Sequence, residues 1–575
     1  MAIKGTELFV KALIEEGVDT LFGYPGGQAI DLFDALYDQK EIQVILPRHE
    51  QALIHAADGY ARSTGKVGVC LVTSGPGATN LVTGIATANY DSVPLVCFTG
   101  QVPLHLMGND AFQEVDIVGV TRGICKYAVT VRDREELPRI IKEAFYIART
   151  GRPGPVVIDL PKDIQQAMGT EEYPTTVNIR GYKPNGAVHM RQIKKAVQLL
   201  CDAKKPLFLI GGGVNIARAN KEMEELLEAT QIPMITTIMG KGAASTQHDL
   251  YLGNIGIHGS YAANHAVTEC DVLFSIGTRF NDRITGKISE FAKNATIVHI
   301  DVDAASISKN IAVDVPIVAD AKLAIEAILD VLAKKKLEVP HMDKRGEWLN
   351  KVLDWKKKYP IRMKDQKGLT PEKVIKAVND RYKSSIIVTD VGQNQLWTTQ
   401  YIELDANRQL LTSGGLGTMG YGFPAAIGAQ LGNPDKKVIA FSGDGGFQMN
   451  IQEMATAVIL GLPLVLIVFN NGYLGNVRQW QELYFNKRYS STCLMYHEPG
   501  DEEHWKYTPD FVRLAESYNA AGIRITEESQ IKDALDLADS RKNGPTLIEV
   551  IIDPEANVWP MVPAGNTLDD MIMDC

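Results

Sequence analysis

Short runs of apolar and β-branched residues recur along the chain, and each is followed by a glycine-rich turn and a helical pattern. Continuously apolar strands that alternate with helices are typical of parallel sheets covered on both faces. The runs fall into three groups, which predict strands at 43–46, 68–73, 95–99 and 156–160, at 207–210, 271–276, 296–301 and 316–318, and at 385–390, 438–442, 464–469 and 546–552. The pattern therefore predicts an α/β chain of three doubly wound parallel-sheet domains.

Two stretches interrupt this alternation and divide the chain. Residues 170–186 contain two prolines and two glycines among mixed polarity and are interpreted as a linker. Residues 334–367 contain lysine clusters and are interpreted as a solvated helical connector. The predicted domains are therefore 1–168, 189–335 and 369–575. The N-terminus predicts an amphipathic helix that ends at Gly17, so no signal peptide is expected.

Composition narrows the classes of protein and partner. The chain has 575 residues, of which 45% are hydrophobic, and acidic residues exceed basic ones by 69 to 59. Such a balance lacks the basic surface of a nucleic-acid-binding protein. The seven cysteines form no CxxC motif, which indicates a reducing, cytoplasmic location. The longest apolar run, 457–469, is shorter than the ~20 residues of a membrane span, so neither nucleic acid nor membrane is expected as a partner.

The candidate chemistry lies at strand ends, where ligands of open α/β sheets bind. The strongest motif is KVIAFSGDGGF followed by LVLIVFNNGYLG, which delivers Asp444 and, 27 residues later, Asn471 to neighbouring strand ends. Carboxylate and amide oxygens suit Mg²⁺, and the flanking glycines let backbone N–H groups approach a diphosphate. A pair of Asx turns is the structural alternative. A Walker A loop is excluded because no GK[ST] follows.

This motif resembles the signature of thiamine-diphosphate enzymes, GDG followed at a distance by NN. The resemblance implies that a metal binds Asp444, Asn471 and the main-chain carbonyl of Tyr473. It also implies a glutamate that exchanges a proton with the aminopyrimidine, and Glu50, at the start of an apolar-periodic helix, is the candidate. A first-turn acid favoured by the helix dipole is the alternative for Glu50. Met419, on a glycine-rich turn, would hold the two cofactor rings in a bent form, and a core methionine is its alternative.

Longer stretches resemble the acetohydroxyacid synthase (acetolactate synthase) catalytic subunits over nearly the whole chain. These stretches are GYPGG, LPRHEQ, TSGPGATN, TGQVP, DAFQE, GRPGPVVIDLPKDIQ, GTRFNDRITGK, HIDVD, SGGLGTMG, SGDGGFQMN and GYLGNVRQWQELYF. The resemblance implies decarboxylation of pyruvate on thiamine diphosphate and condensation with pyruvate or 2-oxobutyrate, the first step of branched-chain amino-acid biosynthesis. It also implies a central FAD-binding domain, a homodimer or dimer of dimers, and a small regulatory subunit.

The same resemblance assigns roles to single positions. The catalytic groups would be Glu50, Gln113 and Lys162. Thiamine diphosphate would contact Glu50, Gln393, Asn394, Gly417, Met419, Gly443, Gly445, Gly446 and Tyr473. The reaction is redox-neutral, so the FAD would have a structural role. It would contact Arg152, Gly211, Gly212, Gly213, His258, Arg279 and Asp301. The substrates would contact Gly27, Phe112, Arg283, Asn476 and Trp480.

Several of these positions have plain alternatives. Trp480 is compatible with a surface aromatic, Lys162 with a solvated charge and Arg283 with an ion-pair partner of Asp282. The three glycines at 211–213 are compatible with a tight strand–helix turn. Only the joint pattern favours function.

Two positions depart from the pattern of the family. The stretch VGQNQLW has Asn394 where histidine is common, so an amide replaces any imidazole contact to the diphosphate. The stretch GYLGNVRQW has Asn476 where methionine is expected, which puts the substrate pocket in doubt. An amide makes a poorer wall than a thioether for an apolar substrate tail. The alternative is that Asn476 turns away to cap a loop.

Three other functions compete with the synthase. A flavin oxidase resembling pyruvate oxidase has the same three domains but would oxidise the substrate-derived intermediate rather than condense it. A flavin-free acetolactate synthase would lack the yellow colour of a flavoprotein. A non-catalytic subunit that binds nucleotides and scaffolds a partner is a different class, and the intact Glu50, Asp444 and Asn471 argue against it.

Overall fold

The computed structural model describes residues 2–184, 186–335, 345–363, 368–405, 408–496, 506–507 and 509–573. The strands form three six-stranded parallel sheets, one after another along the chain. Each sheet has a buried hydrophobic cluster on each of its two faces, because alternate residues of its strands point to opposite sides. The prediction of three doubly wound α/β domains is confirmed, while the residues at which each domain begins and ends stay a prediction.

In the first domain the strands follow the order 2-1-3-4-6-5 across the sheet. The order reverses between Thr20–Tyr24 and Gly68–Val72, so the loops after these strands border the crevice where ligands bind. An antiparallel pair, Ala2–Lys4 with Met168–Thr170, joins the two ends of the domain. The strands are Thr20–Tyr24, Gln43–Ile45, Gly68–Val72, Leu95–Gln101, Tyr127–Thr130 and Pro155–Pro161, and the helices are Gly5–Glu15, Ile30–Tyr37, Glu50–Thr64, Pro76–Thr79, Val82–Asp91, Ile117–Thr121, Leu137–Arg149 and Lys162–Gln166.

The middle domain has a different strand order, 3-2-1-4-5-6. This is the order of dinucleotide-binding sheets, and it reverses between Pro206–Ile210 and Val272–Ile276. The strands are Pro206–Ile210, Met234–Thr236, Tyr251–Asn254, Val272–Ile276, Thr296–Asp301 and Val315–Val318, and the helices are Met190–Asp202, Gly212–Ile216, Asn220–Thr230, Tyr261–Glu269, Asp282–Thr285, Ala321–Lys335 and Gly346–Lys358.

The connector after the middle domain is not wholly solvated, and that prediction was wrong for helix Gly346–Lys358. This helix buries Trp348, Leu349 and Val352 in one core cluster of the middle domain. The indole N–H of Trp348 also donates to the carbonyl of Pro206 at 3.1 Å. The lysines of this helix do not all lie on the opposite face, because Lys356 is half-buried. The rest of the predicted connector, 336–344 and 364–367, lies outside the described residues.

The third domain repeats the strand order of the first, 2-1-3-4-6-5. Its reversal lies between Ser385–Thr389 and Lys437–Gly443. The strands are Ser385–Thr389, Gln409–Leu411, Lys437–Gly443, Val465–Asn470, Ala521–Ile525 and Thr546–Ile551, and the helices are Pro371–Arg381, Gln393–Tyr401, Gly422–Gly432, Asp444–Gln448, Met454–Ile459, Gly475–Tyr484, Phe511–Ser517 and Ile531–Ser540. A short antiparallel pair joins Met495–Tyr496 to Lys506–Tyr507.

The first and third domains pack tightly through helices Glu50–Thr64 and Gly422–Gly432. Glycines permit the close approach, since a β-carbon at Gly59 would lie 2.1 Å from the carbonyl oxygen of Ala425. At Gly428 it would lie 1.8 Å from the carbonyl oxygen of Ala56. The helices of the described chain are all too short or too polar to cross a bilayer.

Candidate active site

The GDGG and NN motifs meet at the carboxyl edge of the third sheet. Strand Lys437–Gly443 pairs with Val465–Asn470, so Asp444 emerges beside the two asparagines. Asp444 is only 3% exposed, and burial raises its pKa to about 7. Backbone N–H groups, including that of Gly472, oppose this rise by hydrogen bonding to the carboxylate. The predicted juxtaposition of the two motifs is therefore present.

Both asparagines also form Asx turns, which was the structural alternative. The Oδ1 atom of Asn470 accepts from the N–H of Gly472, and Oδ1 of Asn471 accepts from the N–H of Tyr473, each at 3.1 Å. An amide oxygen has two lone pairs, so a turn of this kind leaves one available for a cation. Asn470 is further fixed by Glu549, whose Oε1 accepts from its Nδ2 at 2.7 Å. The turns orient the asparagines and do not exclude a metal.

Gln393 and Asn394 occupy the same edge but differ in what they offer. Gln393 accepts from Nδ2 of Asn471 at 3.1 Å and donates to Gln479 and to the carbonyl of Ala556, so its amide is engaged inside the protein. Asn394 donates to the carbonyl of Val391 at 3.1 Å, whereas its buried Oδ1 has no partner in the described part of the chain. Gln393 thus orients Asn471, and Asn394 is the amide with a free polar atom.

Met419 lies on a loop that reaches the GDGG motif. Its Cε is 3.7 Å from the position that a β-carbon at Gly445 would take. Asp390, which follows strand Ser385–Thr389, accepts from the N–H groups of Gly420 and Gly422 at 2.9–3.1 Å. Burial raises the pKa of Asp390 to about 6, against these hydrogen bonds. Sequence reasoning missed Asp390, although it lies at a strand end.

Glycines keep the sheet edge around the GDGG motif free of side chains. A β-carbon at Gly446 would lie 2.4 Å from Oδ1 of Asp390, and one at Gly443 would lie 3.5 Å from Nδ2 of Asn394. Gly417 adopts a φ of +73°, a conformation that favours glycine. Together these positions leave a concave edge that is bordered by backbone N–H groups and amides.

Glu50 begins helix Glu50–Thr64 at the carboxyl edge of the first sheet. Its Oε2 accepts from Nδ2 of Asn80 at 2.9 Å, and its Oε1 is 3.6 Å from the place of a β-carbon at Gly77. Sequence reasoning quoted Asn80 within TSGPGATN but gave it no role. Within the described residues, no hydrogen bond or ion pair joins Glu50 to Asp444. The two predicted centres therefore lie in separate parts of one chain.

The other predicted residues of the first domain lie in the segments that follow strands of the same sheet, at its carboxyl edge. Lys162 donates to the carbonyl of Gly27 at 2.8 Å and lies 3.8 Å from Asp31. Gln113 has a φ of +60° and packs against Gly75, where a β-carbon would lie 2.8 Å from its carbonyl oxygen. Phe112, next to it, is 86% exposed. The side chains of this edge are held in place, but the edge is exposed to solvent.

A cavity of about 1390 Å³ lies where the three domains meet. Most residues predicted for FAD line it, together with three predicted for substrate. They are Arg152, Gly212, Gly213, His258, Arg279 and Asp301, with Arg283, Asn476 and Trp480. Gly211 forms the turn beneath, because a β-carbon there would lie 2.1 Å from the carbonyl oxygen of Gly277. The cavity therefore unites two predicted sets that are far apart in sequence.

The polar groups of this cavity are strongly perturbed by burial. Burial raises the pKa of Asp301 to about 6 and lowers that of His258 to about 4. His258 Nδ1 lies 3.1 Å from the carbonyl oxygen of Pro560. Lys241, which sequence reasoning missed, also lines the cavity, donates to the carbonyl of Thr399, and has its pKa lowered to about 7 by burial. Arg152 comes from the first domain, where it donates to Ser92 Oγ at 2.8 Å, and its Nη1 lies 3.7 Å from Asp303 of the middle domain.

Asn476 and Trp480 share one face of helix Gly475–Tyr484. The Oδ1 of Asn476 and the indole Nε1 of Trp480 are both buried and lack hydrogen-bond partners in the described part of the chain. Arg283, across the cavity, lies 3.7 Å from Asp282, so the ion pair that was its alternative is present.

The described residues contain no group of three or more His, Cys, Asp and Glu side chains placed to hold a metal. The predicted ligand set is of another kind, because it has a single carboxylate, one amide and one main-chain carbonyl. Such a set suits a hard cation that takes its remaining oxygens from a phosphate ligand and water.

Family models match all three domains. The thiamine pyrophosphate enzyme N-terminal TPP binding domain matches residues 3–120, the central domain matches 193–328, and the C-terminal TPP binding domain matches 390–550. A probable acetolactate synthase large subunit of Methanocaldococcus jannaschii is 47% identical, with 99% of this chain and 95% of the relative covered. Acetolactate synthase isozyme 3 large subunit of Escherichia coli is 42% identical (99% and 98%), and the acetolactate synthase large subunit of Corynebacterium glutamicum is 43% identical (99% and 90%).

Proposed function

Because the chain belongs to the thiamine pyrophosphate enzymes and, within them, to the acetolactate synthase large subunits, we propose how its residues perform that carboligation. Its substrates are pyruvate, which loses CO2, and a second 2-oxoacid, either pyruvate or 2-oxobutyrate. The products are 2-acetolactate or 2-aceto-2-hydroxybutyrate. Their formation is the first step of branched-chain amino-acid biosynthesis, which takes place in the cytoplasm. The observation that carries the proposal is the meeting of Asp444 with Asn471 at one sheet edge.

The carboxyl edge of the third sheet, around the GDGG motif, has groups that suit Mg²⁺ and a diphosphate. A divalent cation would stabilise the buried negative charge of the Asp444 carboxylate and would keep this group ionised near neutrality. Asn471 Oδ1 and the Tyr473 carbonyl would be the other protein ligands. Gly443, Gly445 and the amide of Asn394 would border the phosphate oxygens. When bound, thiamine diphosphate supplies a carbanion that adds to the carbonyl of a 2-oxoacid and accepts the electrons released as CO2 leaves.

Glu50 holds the proton that activates the cofactor. Asn80 fixes its Oε2, which leaves Oε1 on the side of Gly77 to exchange a proton with an aminopyrimidine nitrogen. Glu50 is half-buried in this place, so its carboxyl is partly shielded from water. Gln113 and Lys162, at the same edge, would bind the 2-oxoacid carboxylate and exclude water.

The complete site forms between two chains. Within the described chain no hydrogen bond or ion pair joins Glu50 to Asp444, and Phe112, at the edge that carries Glu50, is exposed. Exposed apolar residues surround this edge, namely Leu46, Leu106 and Phe112. We therefore assign the active unit to a homodimer, or a dimer of dimers, with two sites across the interface. The relatives are named large subunits, which supports a small subunit as a further partner.

FAD fits the cavity of the middle domain. The strand order 3-2-1-4-5-6 and the glycine turn at 211–213 are typical of dinucleotide binding. Asp301, at the end of strand Thr296–Asp301, would bind ribose hydroxyls, and Arg152 with Arg279 would bind phosphate. Because the carboligation is redox-neutral, the flavin has a structural role.

Anaerobic turnover of pyruvate by the purified protein tests the proposal. We expect 2-acetolactate in amounts that require added thiamine diphosphate and Mg²⁺, and a flavin absorbance in the holoenzyme. The Asp444→Ala variant is the control, and it should form no 2-acetolactate even when thiamine diphosphate and Mg²⁺ are added. Acetate and H2O2 formed only in air would instead identify an oxidase, and turnover without thiamine diphosphate would contradict the family chemistry.

A further inference from the structure

The loop that carries Met419 is held by the first domain of its own chain. This loop, residues 412–421 and here named the Met419 loop, joins strand Gln409–Leu411 to helix Gly422–Gly432. Asp91, the last residue of helix Val82–Asp91, accepts from the N–H groups of Gly414 and Gly415 at 3.1 and 2.8 Å. Two backbone donors of one domain thus converge on one carboxylate of another.

Arg62 balances the charge of Asp91. Its Nη2 lies 3.0 Å from Asp91 Oδ2, and the side chains are 11% and 0% exposed. The same guanidinium donates to the carbonyl of Thr412 at 2.9 Å and pairs with Asp58 at 2.6 Å. Such a buried network is costly to disrupt, because removing one partner leaves another group unpaired. Asp91 and Arg62 therefore fix the first residues of the Met419 loop.

Asp390 fixes the other end of the loop through Gly420 and Gly422. Met419 thus lies between two anchors, one from the first domain and one from the third. The loop contains four glycines, at 414, 415, 417 and 420, and such a sequence has high conformational entropy unless it is held. In this anchored loop Met419 lies beside Gly445.

We propose that Asp91, neutralised by Arg62, is a positioning residue for thiamine diphosphate, because it fixes the Met419 loop against the GDGG motif. The inference rests on the proposed function, since it assigns a role toward the cofactor of that site. Asp91 touches the loop backbone, and it acts on the cofactor through Met419.

Calorimetric titration of thiamine diphosphate into the full-length protein, freed of cofactor and supplied with Mg²⁺, tests this role. In Asp91→Asn one amide hydrogen would face an N–H of Gly414 or Gly415, so a buried donor loses its acceptor. We expect the Kd for thiamine diphosphate to rise about tenfold. Gly415→Ala tests the same contact with Asp91 intact, because its β-carbon would lie 2.7 Å from Asp91 Oδ1. It should raise the Kd in the same direction, and it decides the question if Asp91→Asn does not fold.

Glu16→Gln is the matched control. The Glu16 side chain is 1% exposed and pairs with Lys142 at 2.7 Å and with Arg149 at 3.0 Å, and within the described residues none of its polar contacts reaches the Met419 loop. We expect a lower Tm in both Asp91→Asn and Glu16→Gln, but a Kd within twofold of wild type for Glu16→Gln. A wild-type Kd in Asp91→Asn and Gly415→Ala, or an equal rise in Glu16→Gln, would overturn the inference. A wild-type protein that binds no thiamine diphosphate would overturn the proposed function, and this inference with it.

Discussion

The first and third domains have the same strand order, yet their carboxyl edges differ in how complete they are. In the third domain the edge is buried and cross-linked by side-chain hydrogen bonds, as at Asp444 and Asn471. In the first domain the edge ends in exposed groups, as at Phe112. The same topology can therefore build a finished half-site and an open one. An open edge with a fixed carboxylate is what a partner surface can complete.

The difference arises from the residues that form hydrogen bonds with each edge. Asn471 is fixed by Gln393, and Asn470 by Glu549, both from within the third domain. Glu50 accepts one hydrogen bond, from Asn80, which comes from the next strand-end loop of the first domain. A preorganised anchor needs rigid partners, whereas a proton-exchanging group needs an oxygen that is left available.

Replacing Glu50 tests whether the two edges have different functions. In Glu50→Gln we expect condensation to fall by about 10²–10⁴, because the proton exchange is lost. Binding of thiamine diphosphate and Mg²⁺ should persist, since the phosphate anchor lies at the other edge. Initial rates of acetolactate formation and calorimetric binding measure the two effects. Full activity in a variant with bound cofactor would remove Glu50 from the mechanism.

Mixing inactive variants tests whether the edges meet between chains. Glu50→Gln and Asp444→Ala are mixed under conditions of subunit exchange, verified by labelled subunits. One site of each mixed dimer is then intact, so about a quarter of the wild-type activity should return for random pairing of equal amounts. Each variant incubated alone is the control. No recovery despite exchange would indicate that each chain builds its own site.

The orientation of Asn471 by Gln393 gives a smaller effect. Gln393→Leu removes the acceptor of Asn471 Nδ2, and partners of metal ligands typically contribute about 10–100-fold in metal affinity. We expect the Mg²⁺ concentration for half-maximal activity to rise within that range. Gln430→Leu is the matched control, because Gln430 is a buried amide whose Nε2, in the described part of the chain, donates to the carbonyls of Asn433 and Lys436 at a helix end. An unchanged Mg²⁺ requirement in Gln393→Leu would assign Gln393 to packing.

Most buried strands of the three parallel sheets were predictable from continuous apolar runs, and the six strands of these sheets that were missed have shorter or interrupted runs. Tyr127–Thr130 and Ala521–Ile525 are edge strands that are half-buried over most of their length. Gln409–Leu411 is also an edge strand, and it has three residues. Thr20–Tyr24 is buried, but Gly23 interrupts its short run. Pairing with a neighbouring strand stabilises these segments, and the partner is distant in sequence.

The placement of the candidate residues was predictable where it is local, whereas their roles stay predictions. Asp444 and Asn471 follow two adjacent strand ends, and Glu50 begins a helix. The residues that hold Glu50 and the Met419 loop were not predictable, because Asn80, Asp390 and Asp91 act on groups 30, 30 and 323 positions away. A carboxylate that binds backbone N–H groups has no sequence pattern of its own. In the connector the lysine clusters favoured a solvated helix, although the helix buries three apolar residues.

The smallest effect concerns Asn476, which lines the cavity together with Trp480. An amide with an unpaired Oδ1 makes a poorer wall for an ethyl group than a methionine would. One methylene in such a pocket contributes about 1–3 kcal/mol, so Asn476→Met should raise the preference for 2-oxobutyrate over pyruvate as second substrate several-fold or more. Product ratios from mixtures of the two acids measure it.

Val477→Met is the control for that experiment, because Val477 is the next residue on the same helix and is exposed. A methionine there adds the same thioether outside the cavity and should leave the product ratio unchanged. If Asn476→Met also leaves the ratio unchanged, Asn476 lies outside the specificity wall, and the second substrate is selected by the remaining lining. If only Asn476→Met changes it, the cavity at the meeting point of the domains receives the second 2-oxoacid. Both steps would then use one site, and the second 2-oxoacid would approach it from the side of this cavity.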